Sequence, residues 1–554
     1  MFRKIMILLM LAAMLTGTVC AAAGEAAATG SEPGTVRCGS YSIEGETYFG
    51  PVYAYEVLPD GTARITGYYG DMREIYIPET VDSCPVSTIG KGAIPDYARQ
   101  DILTVHIPDS VTAIETDAFE NVHTLMTFEL SEIHPTLRVV DDVLISPAEK
   151  RIIRGRIRRE YSIPEGIERV DAHAFWGSAC KSIHIPGSVA KLGRNPFAGV
   201  NINADTHAAL REFTLSPDNT ALENRDGVLF SKEDHRLVWC WSWNPPEPDF
   251  DSYVIPEDIE IIDDCAFWRW RKLRFITVPA GVKSAGIAPL LDRETEIRLD
   301  GNNEALYMEN GMLISRADRR LVMMTLTGAE TVFVPDGITT IGDYAFYGLN
   351  NTFYQKTILP DTVSRIGTYA FAGYGGNVSI PAGVREIGSG AFAYCQGLTD
   401  LPAFSGGIRI GAYAFSECAA GELAVDGGAE IGTYAFLSCP NIRTVTIGEG
   451  DSYIMPLAFT NCGKLETASF GEGLVCLSGG AFRHCESLEK VSLPSTLLYI
   501  GEQALYNMTT QEYSEQFSMY YSVYSSTVHA SVPAGSFAEQ FCEENGIEYS
   551  TDNN

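Results

Sequence analysis

The sequence predicts a solenoid: a curved stack of short parallel β-strands joined by turns and short helical segments, with a β-hairpin cap at the N-terminal end and a small helix-strand cap at the C-terminal end. Three observations predict it. The first is a unit repeated through the C-terminal half, an Ala-Phe pair, a Cys three residues on, then an apolar strand ending in Ile-Pro or Ile-Gly. Its phenylalanines, Phe346, Phe371, Phe392, Phe415, Phe436, Phe459 and Phe482, lie 21 to 25 residues apart. One such unit cannot bury its own apolar face and must stack on neighbours. The second is a longer recurrence, in which Val143-Leu144-Ile145-Ser146, Val228-Leu229-Phe230-Ser231 and Met312-Leu313-Ile314-Ser315 stand about 84 residues apart. The third is composition: 45% hydrophobic and 10% aromatic residues support a packed core, and a solenoid absorbs 554 residues as one body where a globular domain would split.

In chain order, residues 1–23 read as a secretory signal. Arg3 and Lys4 precede an apolar run over residues 5–15, and Ala21 to Ala23 offer a cleavage site. Cys20 follows Val19 rather than a small residue, which disfavours lipid attachment. Residues 24–45 are expected to be a flexible tether, opening on Ala, Gly, Ser, Glu and Pro that bury little. Residues 46–88 should hold a capping hairpin and the first repeat, since Pro59-Asp60-Gly61 separates strand-like runs. Residues 89–345 read as irregular repeats with inserted hairpins, and residues 346–532 as regular repeats of about 23 residues. Residues 533–554 form the C-terminal cap, a helix over 536–544 stopped by Asn545-Gly546 and a last strand over 547–549.

One repeat shows the local logic. Val491 and Leu493 alternate with polar neighbours, the period of a strand with one buried face. Pro494 lacks an amide hydrogen and ends the ladder, Leu498 and Ile500 make a second apolar pair, and Gly501 turns the chain. Ala504-Leu505 then takes the Ala-Phe place, a small residue for close approach and a large one for the core, each buried Phe contributing roughly 1.5 to 3 kcal/mol.

The pattern in Ile380-Pro381, Val384, Ile387-Gly388, Ala391-Phe392, Cys395 and Leu398 resembles that of the BspA-like leucine-rich repeat family, over about residues 46 to 549. The resemblance implies a leucine-rich-repeat solenoid on secreted or cell-surface proteins of host-associated bacteria, used for adhesion to host proteins, cells or other microbes. Family members differ in ligand, so no ligand carries over. Leu401-Pro402 and Gly448 alter the Ile-Pro step, and Ile94 stands where the first Phe would be.

Cys395, Cys418, Cys439, Cys462 and Cys485 each follow a repeat Phe by three residues. Stacked equivalent positions make a ladder of small buried thiols, and core packing is the expected role. No Cys-x-x-Cys pair occurs, so a zinc site is not expected. Cys38, Cys84, Cys240, Cys265, Cys476 and Cys542 are left as disulfide candidates in an exported chain.

Catalytic motifs are absent: there is no His-Glu-x-x-His, Gly-x-Ser-x-Gly or phosphate loop, and no stretch of about 100 residues lies outside the repeats for an enzyme domain. No enzyme activity and no cofactor are expected. With 71 acidic against 40 basic residues, the formal charge of -31 disfavours nucleic acid and anionic membranes as partners. No later run reaches about 18 apolar residues, so no transmembrane segment is expected.

Candidate ligand sites are surface features. Trp239, Trp241 and Trp243 alternate along one apparent strand, with Trp268 and Trp270 one repeat later; exposed, they would stack on sugars or anchor a protein, and buried, they would fill the wider core of the inserted units. His106 and His184 share an outward strand column that is otherwise small and polar; a solvated polar row is the favoured reading, and a metal or partner site formed by the pair is the alternative. The acidic stretch from Glu247 to Asp264 fits no calcium loop and reads as a solvated face. An insertion over residues 506–524 carries Tyr513, Tyr520, Tyr521 and Tyr524 among Ser, Gln and Thr, a composition that suits adaptable recognition and equally a flexible, unpacked loop. The function expected is a secreted or surface-exposed, non-catalytic, adhesin-like binding protein for host or microbial proteins. The alternatives are a carbohydrate-binding accessory protein, an architectural envelope protein and, less favoured, a hydrolase on a repeat scaffold.

Overall fold

The computed structural model describes residues 39–43, 45–50, 53–68, 74–94, 103–119, 122, 126–198, 200, 210, 212–241, 252–268, 273–286, 295–325, 329–349, 356–514 and 519–552. Short strands stack in register along two rows. One row comes from the Ile-Pro strands: three-stranded sheets such as Glu74–Tyr76, Leu103–His106 and Met126–Glu129, then a seven-stranded sheet from Ala403–Phe404 to Glu548–Asp552. The other row comes from the Ile-Gly pairs and includes an eleven-stranded sheet from Leu306–Glu309 to Tyr499–Ile500. Pairing between successive coils is parallel, as in Val445 opposite Ala468 and Ile387 opposite Ile410. A β-solenoid results, with its core between the rows.

Each repeat position has a physical reason. Phe346, Phe371, Phe392, Phe415, Phe436, Phe459 and Phe482 are fully buried and stack face to face, ring centroids 4.6 to 5.5 Å apart. The preceding Ala lets the next coil approach, so that the Phe371 amide donates to the Ala391 carbonyl at 2.7 Å. Glycine at the Ile-Gly step is a matter of space: a Cβ on Gly388 would lie 2.5 Å from the Thr368 nitrogen of the coil below. Cys395, Cys418, Cys439, Cys462 and Cys485 are fully buried. The Cys395 thiol donates to the Phe371 carbonyl at 2.8 Å, and Cys439, Cys462 and Cys485 do the same to Phe415, Phe436 and Phe459 at 3.0 Å. The thiol thus fills a small space and also satisfies a carbonyl of the preceding coil.

Several expectations are corrected. Within the span expected to be a tether, Gly39–Ile43 is a strand paired with Glu46–Gly50 and Thr80–Val81, and residues 24–38 lie outside the described residues. The repeat corners are turns rather than short helices: the residue before Ala-Phe takes a left-handed conformation, as at Tyr344, Tyr369, Tyr413 and Tyr434, which breaks a helical run. Phe537–Asn545 is the one helix among the described residues, with Ser536 accepting from the Glu539 amide and Gly546 left-handed at its end. The expected hairpin Tyr53–Val57 with Ala63–Tyr68 is present, and Ala93-Ile94 takes the first Ala-Phe place, fully buried. The inserted hairpins are three-stranded antiparallel meanders, such as Arg138–Val140, Val143–Ser146 and Arg151–Gly155, whose third strand restarts the parallel stack.

These meanders divide the stack into four blocks, and two polar residues close each junction. In a regular coil the Ile carbonyl of the Ile-Gly pair accepts from the glycine amide of the next coil, as the Gly367 amide donates to Ile341 at 2.9 Å. At a block's end that amide is missing, and an arginine replaces it. Arg151 donates to Ile114 at 2.5 Å, Arg236 to Leu192 at 2.6 Å and Arg320 to Ala285 at 3.0 Å. The loop into the meander is tied down by Asn219, which donates to Pro186 and Val189 and accepts from the Ala221 and Leu222 amides. Asn303 repeats those bonds at the next junction, donating to Pro279 and Val282 and accepting from Ala305 and Leu306. Such complete satisfaction is what keeps a buried polar side chain tolerable.

Candidate functional site

The tryptophans are placed by the third block's meander. Its strand Arg236–Cys240 is buried along its whole length, so alternation does not expose one face. Trp239 is 3% exposed, stacked on Phe197 at 5.1 Å and edge-on to Phe213 at 5.8 Å. Trp268 is 6% exposed and packs with Trp176, Cys265 and Tyr344 in a small aromatic core. Neither presents a ring face to a ligand, which corrects their candidacy. Trp241 is half-buried, stacked on Phe213 at 5.8 Å, with its indole nitrogen buried and unbonded. Trp243 and Trp270 lie outside the described residues.

His106 and His184 are not brought together. They belong to different three-stranded sheets. His106 stacks on Tyr76 at 3.9 Å and faces Glu129 at 3.4 Å, while His184 Nδ1 meets the Thr214 hydroxyl at 2.8 Å. No cluster of three or more metal-binding side chains occurs among the described residues.

The acidic stretch also differs from expectation. Asp258 is solvated and pairs with Arg225 at 3.2 Å, but Asp263 and Asp264 are buried at the block junction. Asp263 lies 3.3 Å from Arg236 and accepts from the Asn195 amide at 2.9 Å; burial pushes its carboxyl up to about 7, against the pull of Arg236. Asp264 meets His173 at 3.1 Å and Arg194 at 3.6 Å. His173 and Asp264 are each 1% exposed, and this His-carboxylate pair braces the junction. The cysteines described are free thiols, including Cys84, Cys240, Cys265, Cys476 and Cys542, and Cys38 lies outside the described residues.

The expected tyrosine insertion is a hairpin. Met508–Ser514 pairs antiparallel with Met519–Ser525, placing Tyr513 opposite Tyr520, Glu512 opposite Tyr521 and Thr509 opposite Tyr524. Neither strand joins the solenoid sheets. The hairpin is anchored at its base, where the Arg483 guanidinium lies 4.6 Å over the Tyr524 ring and donates to its hydroxyl. The side chains of Tyr513, Tyr520 and Tyr521 lie outside the described residues.

Curvature creates a feature no local pattern announces. Ala412 and Tyr413 of the fourth block are buried in the apolar cluster of the first, beside partly buried Tyr434 and Leu437, so the stack has come round on itself. Between the inner corners lies a cavity of about 1000 Å³, bounded by Lys91 and Asp117 of the first block and by residues of later blocks as far as Arg365. Sequence reading missed this cavity, the junction arginines and the residues at 134, 219 and 303. The last two sets carried a signal, since each keeps an almost constant offset from the recurring segments that begin at Val143, Val228 and Met312.

No curated protein matches the chain. Solved structures similar to it include the pneumococcal vaccine antigen PcpA, with 14% identity over 94% of this chain and 100% of that one and a TM-score of 0.28. A leucine rich cell surface protein of Faecalibacterium prausnitzii has 17% identity over 92% and 98%, with a TM-score of 0.23. A leucine-rich repeat protein of T. pallidum has 17% identity over 44% and 96%, with a TM-score of 0.18. Superpositions this loose carry no argument. The repeat chemistry does: the model of the BspA type leucine rich repeat region matches six copies, at residues 70–138, 158–209, 325–426 and 409–525, more than half of the chain. With the Ala-Phe-x-x-Cys coils, their glycine steps and their parallel pairing in place, the chain belongs to the BspA-type leucine-rich repeat family.

Proposed function

We infer that the chain is an exported, non-catalytic binding protein that engages a host or microbial protein through its repeat surface, in the manner of an adhesin. The observation that carries this reading is the hairpin of strands Met508–Ser514 and Met519–Ser525, which does not pair with the solenoid sheets, carries four tyrosines in its sequence and is clamped at its base by Arg483. Tyrosines on a pre-organised ribbon offer contact area at low entropic cost. Export is supported by the charged, apolar and small-residue sequence of residues 1–23, which lie outside the described residues. No helix among the described residues is long and apolar enough to cross a membrane. A glycan-binding role through stacked indoles has less support, since Trp239 and Trp268 are buried.

The test is surface-based binding of immobilised fibronectin, laminin and collagen by the mature chain and by a form with residues 508–525 replaced by a short Gly-Ser linker. Binding to one of these that disappears in the linker form, with an unchanged melting temperature, supports the reading. Binding that survives the replacement contradicts it.

A further inference from the structure

Met508–Ser514 and Met519–Ser525 form a two-stranded sheet of their own, so each strand has an outer edge with no strand against it among the described residues. The base of the hairpin is fastened to the last coils. Asn507 donates to the Leu488 carbonyl at 3.0 Å, Ser526 to the Leu505 carbonyl at 2.8 Å, and Arg483 lies over the Tyr524 ring. Beyond its base, a two-stranded ribbon in water gains most from further strands. Natural edge strands are blunted by charge, proline or a bulge. The edge of Met519–Ser525 has none of these. Its sequence, Met-Tyr-Tyr-Ser-Val-Tyr-Ser, is uncharged and free of proline, and its pairing with Met508–Ser514 runs without a bulge.

The same strand is close to a palindrome. Set antiparallel against a second copy of itself about Ser522, it places Tyr520 opposite Tyr524, Tyr521 opposite Val523 and Met519 opposite Ser525, so that the whole strand pairs. Aromatic residues opposite one another or opposite a β-branched residue are favoured partners in antiparallel sheets. The other strand is not self-complementary in this way. Two-fold pairing about Gln511 would bring Glu512 of each copy to diagonal positions on one face, a like-charge contact that stops assembly at two chains. Antiparallel ribbons also carry their bases at opposite ends. For strands of this length the bases lie roughly 20 Å apart, beyond the screening length of about 8 Å at physiological salt, so two bodies of formal charge -31 are held clear of each other.

We propose that this edge is a homodimerisation site, at which Met519–Ser525 of two copies pair antiparallel about Ser522 and join their hairpins into one four-stranded sheet. The contact is isologous, with one edge meeting its own copy. Pairing along an edge leaves both faces of the ribbon open to a ligand, so the inference shares the hairpin with the function proposed above without resting on it.

The test is sedimentation equilibrium of the mature chain over a range of concentrations, with no matrix protein present, so that its failure is separate from a failure of ligand binding. The parent is expected to be a dimer. Ser522→Lys and Ser522→Glu each set like charges opposite one another at the two-fold axis, and each should weaken the dimer by about tenfold or more without moving the melting temperature. An equimolar mixture of the two variants should dimerise again. Gln511→Lys, which puts the same charge on the other strand of the hairpin, should dimerise like the parent. A parent that stays monomeric, a Ser522→Lys form that still dimerises, a mixture that stays monomeric, or a Gln511→Lys form as weakened as Ser522→Lys would each overturn the proposal.

Discussion

His134 stands in the first junction where Asn219 stands in the second, and it makes the same bridge with a different functional group. Its Nε2 donates to the Pro108 carbonyl at 3.2 Å and its Nδ1 accepts from the Leu137 amide at 3.1 Å, so the bridge requires the neutral ring. Burial, the leading cause, holds its pKa below the ordinary 6.5. A depressed folded-state pKa contributes stability that is present above 6.5 and lost as pH falls through the folded value.

His134→Asn should therefore be tolerated and should flatten the loss of melting temperature between pH 7 and pH 5. His134→Ala should cost about 1 to 3 kcal/mol by leaving buried polar groups unpaired. Thermal unfolding at several pH values checks both; an Asn form as acid-sensitive as the parent contradicts the role assigned to the ring.

Asp263 works in the opposite direction. Its folded-state carboxyl sits at about 7 against an ordinary 3.8, so its contribution is fully present below 3.8 and is lost as pH rises through about 7. Asp263→Asn should remove that component, making the parent gain more than the variant on going from pH 8 to pH 5. Equal gains would show that the Arg236 pairing holds the carboxylate ionised throughout.

Removing the arginine from the same junction is expected to be severe. Arg236→Met strands the Leu192 and Gly193 carbonyls and leaves Asp263 without its closest cation, a loss of about 3 to 5 kcal/mol for a broken buried pair. Denaturant unfolding measures it, and a loss under about 1 kcal/mol would demote the brace to a surface contact.

The glycine step makes a sharper steric claim. Gly388→Ala should destabilise by about 1 to 3 kcal/mol, because the added methyl meets backbone rather than a movable side chain. Gly463→Ala, where nothing lies within 4 Å of the added atom, should be nearly neutral. Comparable effects at both sites would mean that chain entropy and not coil spacing governs these positions.

Two thiols of the ladder, Cys395 and Cys418, should be chemically silent. Burial raises the Cys395 thiol well above its usual range and pushes Cys418 up to about 12, so little thiolate is available. Iodoacetamide should label neither residue in the folded protein and both on unfolding, as mass spectrometry of the digests would show. Native-state labelling at the unfolded rate would contradict the packing.

The regular coils were legible because their chemistry repeats from one coil to the next: the Phe stack, the Cys ladder and the Ile-Gly step all follow from one buried face and one tight corner. The tryptophans were less so. Alternation along residues 239–243 fits a half-exposed strand, but a strand covered on both faces has the same sequence pattern, and only tertiary packing separates the two. Asp263 and Asp264 looked solvated because they close an acidic run, whereas at the block junction they are buried against Arg236, the Asn195 amide, His173 and Arg194. The junction arginines, Arg151, Arg236 and Arg320, recur only once per meander among many other polar side chains, and His in place of Asn at 134 hides the third member of its set. The cavity has no local signature, since it arises from curvature accumulated over many coils.

Hydrogen exchange of the chain alone and with each of fibronectin, laminin and collagen tests the proposed function most directly. Protection concentrated on residues 508–525 and on the adjoining Arg483 coil is the expected result. Protection on the coils spanning residues 236–268, with residues 508–525 unchanged, would place recognition in the tryptophan region and contradict it.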